Sequence, residues 1–245
     1  MALAAEAFEL PRKTTSITLA GLARHGWLRR AARGLYLILP LEVEPGTLAV
    51  AEDPWILACE LFSPCYIGGW SAAEHWGLTE QLFRSTLVVT GSSARSSSRT
   101  ILDHEFRIFK VPKDRIADAT FIWRGSERVP VSSPERTIVD ALRHPELLGG
   151  IRHLAEVLRT YSENSKKDFS KLLDTMKTYG NGAAWKRLGF LTETLWPEEV
   201  GILSAARDHL TTGTIRLDPA VKRTGTLYRR WGVCVNVPIG HDSTI

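Results

Sequence analysis

Apolar positions first repeat at helical spacing at Leu19, Leu22 and Ala23, with the N-cap types Thr14, Thr15 and Ser16 ahead of them and Gly26 placed to stop the turn. Two β-prone runs follow, residues 27–30 and 35–38. The short segment between them holds Gly34, so the pair reads as a hairpin. Residues 41–52 carry Pro45, Gly46 and several acids and read as a linker. A second helix opens with Asp53 as N-cap and Pro54 at its first position, and ends at Ser63-Pro64. Ser71 and Glu74 have the spacing of a capping box for a short helix that Gly77 closes.

The pattern then changes to β character. Strands are expected over residues 86–90, 105–111 and 119–123, with a shorter one at 128–131, and a Ser/Arg-rich loop over 91–100. Four helical patterns follow: one from Ser133 with Ile138, Val139 and Leu142; one with Ile151, Leu154, Ala155 and Leu158; one with Phe169, Leu172, Leu173 and Met176; one with Ala184, Leu188, Leu191 and Leu195. Residues 214–237 return to β character. No internal repeat is visible. The expected fold class is α/β (α+β): a small winged helix-turn-helix-like segment over residues 1–42, then a larger mixed α/β domain over 43–245.

Charge sharpens this reading. The 245 residues carry a net charge of +4. Between Pro11 and Pro40 the charged residues are Arg12, Lys13, Arg24, Arg29, Arg30 and Arg33, with no carboxylate, so the rest of the chain stands at −2. A helix followed at once by a basic hairpin is the order found at the end of a winged helix. Ser16, Thr18, Arg24 and His25 are then the candidates for bases or phosphates in a major groove, and Arg29, Arg30 and Arg33 for the backbone. About fifteen residues precede that helix, fewer than two ordinary helices require, so the module is either shortened or lacks its first part. A second basic cluster, Arg216, Lys222, Arg223, Arg229 and Arg230, is opposed only by Asp218.

Other chemistry is sparse. Gly91-Ser92, followed by Asp103-His104-Glu105, has the form of a nucleotidyltransferase signature, in which Ser92 would hold phosphates and Asp103 and Glu105 magnesium. His104 stands where an apolar residue belongs, and no third carboxylate lies in residues 120–123. Ser133-Pro134-Glu135-Arg136 reads as a helix start, with Arg136 and Asp140 one turn apart. The seven histidines are scattered, the three cysteines lack C-x-x-C spacing, and no Walker, Rossmann or G-x-S-x-G motif occurs. The chain is therefore expected to take no metal or other cofactor. No apolar run reaches membrane-spanning length, and residues 1–10 lack a basic start, so a cytoplasmic, non-membrane protein is expected.

Taken in order, residues 26–37 (GWLRRAARGLYL), 66–80 (YIGGWSAAEHWGLTE), 87–90, 103–111, 131–140 (VSSPERTIVD), 145–151 (PELLGGI), 185–191 (WKRLGFL) and the tail from Leu217 to Asn236 resemble the AbiEi-type antitoxins of type IV toxin–antitoxin (abortive phage infection) systems. The resemblance implies a non-enzymatic transcriptional autorepressor. Its N-terminal winged helix would bind inverted repeats in double-stranded DNA of its own promoter. Its C-terminal domain would counter a nucleotidyltransferase-like toxin without a stable complex. It assigns Arg29, Arg30 and Arg33 to DNA, and Trp70, Ser71, Glu135, Arg136 and Asp140 to a structural or antitoxin-surface set.

Overall fold

The computed structural model describes residues 2–32, 34–38, 53–93 and 96–239. The expected linker over 41–52 and Arg33 lie outside them. The chain has mixed α/β architecture.

A short helix α1 (Ala2–Ala7) leads to α2 (Arg12–Arg24) and to the antiparallel hairpin β1 (Leu28–Ala32) and β2 (Leu35–Ile38). Helix α2 starts earlier than the Thr14–Ser16 cap types suggest. Pro11 precedes it, and Thr15 is an interior residue whose hydroxyl donates to the carbonyls of Leu10 and Pro11 at 3.2 and 3.1 Å. Gly26 has φ of 80°, the left-handed conformation that ends a helix without a Cβ penalty. Ala31 and Leu35 of the hairpin pack onto the core beneath it.

The body is built on a six-stranded sheet. Helix α3 (Pro54–Phe62), β3 (Cys65–Ile67), α4 (Gly69–His75), β4 (Ser85–Thr90), β5 (Ser98–Ile101), β6 (His104–Lys110), β7 (Thr120–Arg124) and β8 (Glu127–Val131) follow in sequence, and the strand order is β5-β6-β4-β3-β8-β7. The contacts β4–β6 and β3–β8 are parallel and the others antiparallel. Strand β4 sits inside this sheet, and Leu87 to Thr90 are all buried, which is why its sequence runs apolar instead of alternating. Strand β5 occupies part of the expected Ser/Arg loop: its residues Ser98, Arg99 and Thr100 are exposed at a sheet edge, so they carry no apolar signal.

Two capping expectations change. Helix α4 begins at Gly69 with Gly68 as its cap, so Ser71 and Glu74 form no capping box. Instead the Ser71 hydroxyl accepts from the Leu87 backbone N–H at 2.9 Å and ties α4 to β4. By contrast, Asp53 caps α3 as expected, accepting from Trp55 N at 2.8 Å.

The second half is a helical layer: α5 (Pro134–Arg143), a 3₁₀ turn at Pro145–Leu148, α6 (Ile151–Glu163), α7 (Phe169–Tyr179), α8 (Gly182–Leu195) and α9 (Val200–Asp208). A three-stranded sheet of β9 (Ile215–Arg216), β10 (Thr226–Tyr228) and β11 (Val233–Val235) closes it, in the order β10-β11-β9. The largest core cluster lies among these helices, a second between α3 and the six-stranded sheet, and a third where Tyr66, Leu87 and Val89 meet Leu147.

Gly189 marks where the two parts of the helical layer lock. A Cβ added there would lie 2.2 Å from the Trp231 ring, which is 1% exposed and held through its indole N–H to Glu193 at 2.7 Å. Alanine ordinarily gains about 1 kcal/mol over glycine in a helix, but overpacking a closed core costs about 1–3 kcal/mol, so the clash decides the sign. Gly189→Ala is expected to lower the urea-unfolding midpoint, and an unchanged or raised midpoint would contradict this packing.

Candidate nucleic-acid interface

The solvent face of α2 follows from helical spacing. Leu19 and Thr15 turn inward; Lys13, Ser16, Ile17, Ala20 and Arg24 stand outward, and Ile17 is 62% exposed. Lys13, Ile17, Ala20 and Arg24 fall at i, i+4, i+7 and i+11, one stripe along the helix. His25, also exposed, continues its C-terminal end. Of the four groove candidates, Thr18 departs from expectation: it is half-buried on the flank, and its hydroxyl donates to the Thr14 carbonyl at 3.1 Å. Ile17 was missed by reading polar residues alone; an exposed large apolar group amid basic neighbours is the signal that finds it.

On the hairpin, Arg30 is exposed, with Nε donating to the Ala32 carbonyl at 3.4 Å and its guanidinium 6.0 Å from the Tyr36 ring centroid. Arg29 is committed elsewhere: its Nη2 donates to the Asp103 carboxylate at 2.6 Å. This ion pair fastens the hairpin to the β5–β6 turn, where Leu102 and Asp103 have φ of 50° and 66°. Two successive positive φ values between paired strands are the pattern of a tight hairpin turn. Of the two described hairpin arginines, Arg29 is thus the one engaged by a carboxylate.

The same turn disposes of the nucleotidyltransferase arrangement. Strands β4 and β6 are parallel with Ser85 beside Glu105 and Thr90 beside Lys110. Ser92 lies past the far end of β4, while Asp103 and Glu105 lie at the near end of β6. At the rise of a strand this separates them by roughly 20 Å. Ser92 instead hydrogen-bonds Thr90 at 2.9 Å, and Glu105 sits 3.6 Å from Arg107. The three residues form no common site.

The set Glu135, Arg136 and Asp140 is a buried network, exposed by 3%, 3% and 5%. Ser133 caps α5 by accepting from Arg136 N at 3.1 Å. Arg136 Nε donates to Asp140 at 3.0 Å and Nη2 to the Arg115 carbonyl at 2.8 Å, while the guanidinium lies 3.5 Å from the Tyr179 ring centroid. Tyr66 donates to Asp140 at 2.6 Å, and Tyr161 donates to Glu135 at 3.1 Å, with Lys171 paired to Glu135 at 3.0 Å. Burial works against the Arg136 charge, but Asp140 and the tyrosines more than offset it, and its pKa lies above the ordinary arginine value. Burial, and then the Asp140 charge, push the Tyr66 hydroxyl well up. Ser71 is also buried, and half-buried Trp70 donates through its indole to the Ser85 carbonyl at 2.8 Å. These five residues join elements inside the body, which is the structural one of the two roles expected for them.

Two buried cations escaped the sequence reading. Lys186 donates to the Gly213 carbonyl at 2.6 Å, and Arg187 to those of Leu142 and Leu217 at 2.8 and 2.9 Å. They join α8 to the end of α5 and to the segment around β9. A polar cleft of about 340 Å³, with His75, Arg84, His104, Glu105 and Arg124 in its lining, was also not foreseen. Burial, and then Arg124, hold the His75 pKa below the ordinary histidine value, so its imidazole is neutral at pH 7. Among the described residues no group of three or more His, Cys, Asp or Glu is arranged to hold a metal ion, and no helix is long and apolar enough to cross a membrane.

No family model and no curated protein sequence matches the chain. Its fold is similar to the crystal structure of the Rv2827c protein from Mycobacterium tuberculosis, with a TM-score of 0.60 over 89% of this chain and 78% of that one, at 18% identity. At that identity the likeness concerns the fold alone.

Arg136→Ala would leave Asp140 charged and unpaired in the interior. Removing one partner of such a pair costs about 3–5 kcal/mol, so a correspondingly large loss of unfolding free energy is expected in denaturant titration. A loss below about 1 kcal/mol would place Arg136 outside the scaffold.

Proposed function

We propose that the chain is a DNA-binding transcriptional regulator of the AbiEi antitoxin type, acting in the cytoplasm on double-stranded DNA of its own promoter. In this reading α2 is the recognition helix of a winged helix-turn-helix module and β1–β2 is its wing. The observation that carries the proposal is the exposed stripe of α2, bounded by Lys13 and Arg24, with Ser16, Ile17 and Ala20 between them and no carboxylate from Leu10 to Ile38. The division of labour follows from the chemistry. Lysine and arginine at the ends of the stripe take phosphates and set the register of the helix on the duplex. A short hydroxyl and an exposed apolar side chain at its middle reach base edges, where isoleucine fits a thymine methyl group. Arg30 adds a backbone contact from the wing, while Arg29 holds the wing to the body through Asp103.

The antitoxin part of the proposal rests on the sequence resemblance. Counteraction of a nucleotidyltransferase-like toxin without a stable complex agrees with a body whose family-like motifs are occupied in internal bonds. Repression of the operon that encodes both proteins would then limit the supply of toxin.

The test is fluorescence anisotropy on labelled DNA from immediately upstream of the gene, across a salt series. Lys13→Ala with Arg24→Ala is expected to lower affinity for every sequence and to reduce the slope of log K against log salt by about 2, since each phosphate contact contributes roughly 0.9. Ile17→Ala is expected to narrow the gap between upstream and unrelated DNA with the slope retained. Arg30→Ala should weaken binding more than Arg29→Ala. A slope unaltered by the double substitution would remove α2 from the interface.

A further inference from the structure

The second basic cluster of the sequence stays outside the proposed interface. In the structure it forms an exposed ribbon whose strand β11 packs into the core of the helical layer, a different cluster from the one onto which Ala31 and Leu35 pack. Every residue from Lys222 to Arg230 is exposed. Four of them are cationic and none is acidic. Asp218, the one carboxylate that opposes them in sequence, is 5% exposed and used internally: it accepts from Ile151 N at 3.0 Å and from Ala220 N at 2.9 Å. Glu193 on α8 takes Arg230 in an ion pair. Lys222, Arg223 and Arg229 have no ion-pair partner among the described residues.

The distribution of these charges is specific. Lys222 and Arg223 precede the edge strand β10, Arg229 follows it, and β10 itself presents Leu227 and Tyr228, 44% and 42% exposed. The Tyr228 and Phe190 rings are nearly perpendicular at 5.5 Å between centroids, and the Tyr228 hydroxyl is hydrogen-bonded to Glu193, so the ring is held while 42% of the residue stays exposed. Beyond it, Trp231 is buried against Gly189, so the ribbon is anchored at its base. Cations at both ends of an anchored strand, with an oriented aromatic ring between them, match a chain of phosphates whose bases are free to stack. A duplex keeps its bases stacked on one another and would use the cations but not the ring. An acidic peptide would likewise leave Tyr228 without a role.

We infer that the β10–β11 ribbon is a second nucleic-acid site: it binds a single-stranded segment, with Lys222, Arg223 and Arg229 on phosphates and Tyr228 stacked on a base. This site works independently of α2.

The experiment is anisotropy with the full chain on labelled oligothymidine and oligouridine of about 12 nucleotides, within the span such sites cover, across a salt series. A blunt duplex and polyglutamate serve as competitors. Lys222→Ala with Arg223→Ala and Arg229→Ala is expected to reduce the salt slope by about 2, at roughly 0.7 per phosphate on a single strand. Tyr228→Ala is expected to weaken binding roughly 5- to 150-fold with the slope retained, the range set by the stacking of one base, and Tyr228→Phe to restore it. Lys13→Ala with Arg24→Ala should leave single-strand binding unchanged. The inference is overturned if the wild type binds neither strand, if the α2 variant removes the binding, or if duplex or polyglutamate competes as well as the single strand itself.

Discussion

Helix α5 imposes the constraint on which the rest of the body depends. Its residues from Glu135 to Leu142 are all buried, yet three of them carry charge. An isolated ionised group in that position would cost several kcal/mol. Each must therefore be matched from a different direction: Asp140 by Arg136 on the same helix and by Tyr66 from the central sheet, Glu135 by Lys171 from α7 and Tyr161 from α6, and Arg136 also by the ring of Tyr179 and the carbonyl of Arg115. Because all the partners except the Arg136–Asp140 pair come from other elements, the network fixes how the sheet and the helical layer meet. Lys186 and Arg187 repeat the device one layer out, spending their charges on backbone carbonyls of neighbouring segments.

This arrangement has a consequence for function. The polar motifs that stand out in the sequence, Ser133 to Asp140 and the stretch around Arg187, are consumed inside the protein. Two cationic stretches remain on the described surface: the stripe of α2 and the ribbon of β10–β11. The carboxylate that nears the first, Asp103, pairs with Arg29 of the hairpin; the carboxylate that nears the second, Glu193, holds Arg230 and Trp231 of the ribbon. In both places an ion pair at the base leaves the neighbouring cations unpaired.

Much of the fold was legible because local signals and tertiary packing agree. Asp53-Pro54 and Ser133-Pro134 start helices as their chemistry requires, Gly26 and Gly77 end helices in left-handed conformations, and the hairpin around Gly34 pairs as expected. The failures have physical causes. Ser71 looked like a cap but serves a strand, since a hydroxyl can accept from any nearby N–H and sequence spacing does not say which. Strand β5 hid in a Ser/Arg run because an edge strand that buries only Ile101 needs no alternation. Burial of Lys186 and Arg187 had no signal in the sequence, since buried charge is distinguishable from solvated charge only through partners distant in sequence. On the hairpin and α2, Arg29 and Thr18 looked available, but Asp103 and the Thr14 carbonyl engage them in the fold.

The central claim, that the N-terminal helix and hairpin read a specific duplex, is tested most directly by a gel-shift titration of the wild-type chain. The probe is DNA from immediately upstream of its gene, the competitor unrelated DNA, and the titration is run at low and at physiological salt. The account predicts a discrete complex that survives excess competitor and weakens steeply as salt rises. A complex that unrelated DNA removes equally well, or no complex in low salt, would contradict it.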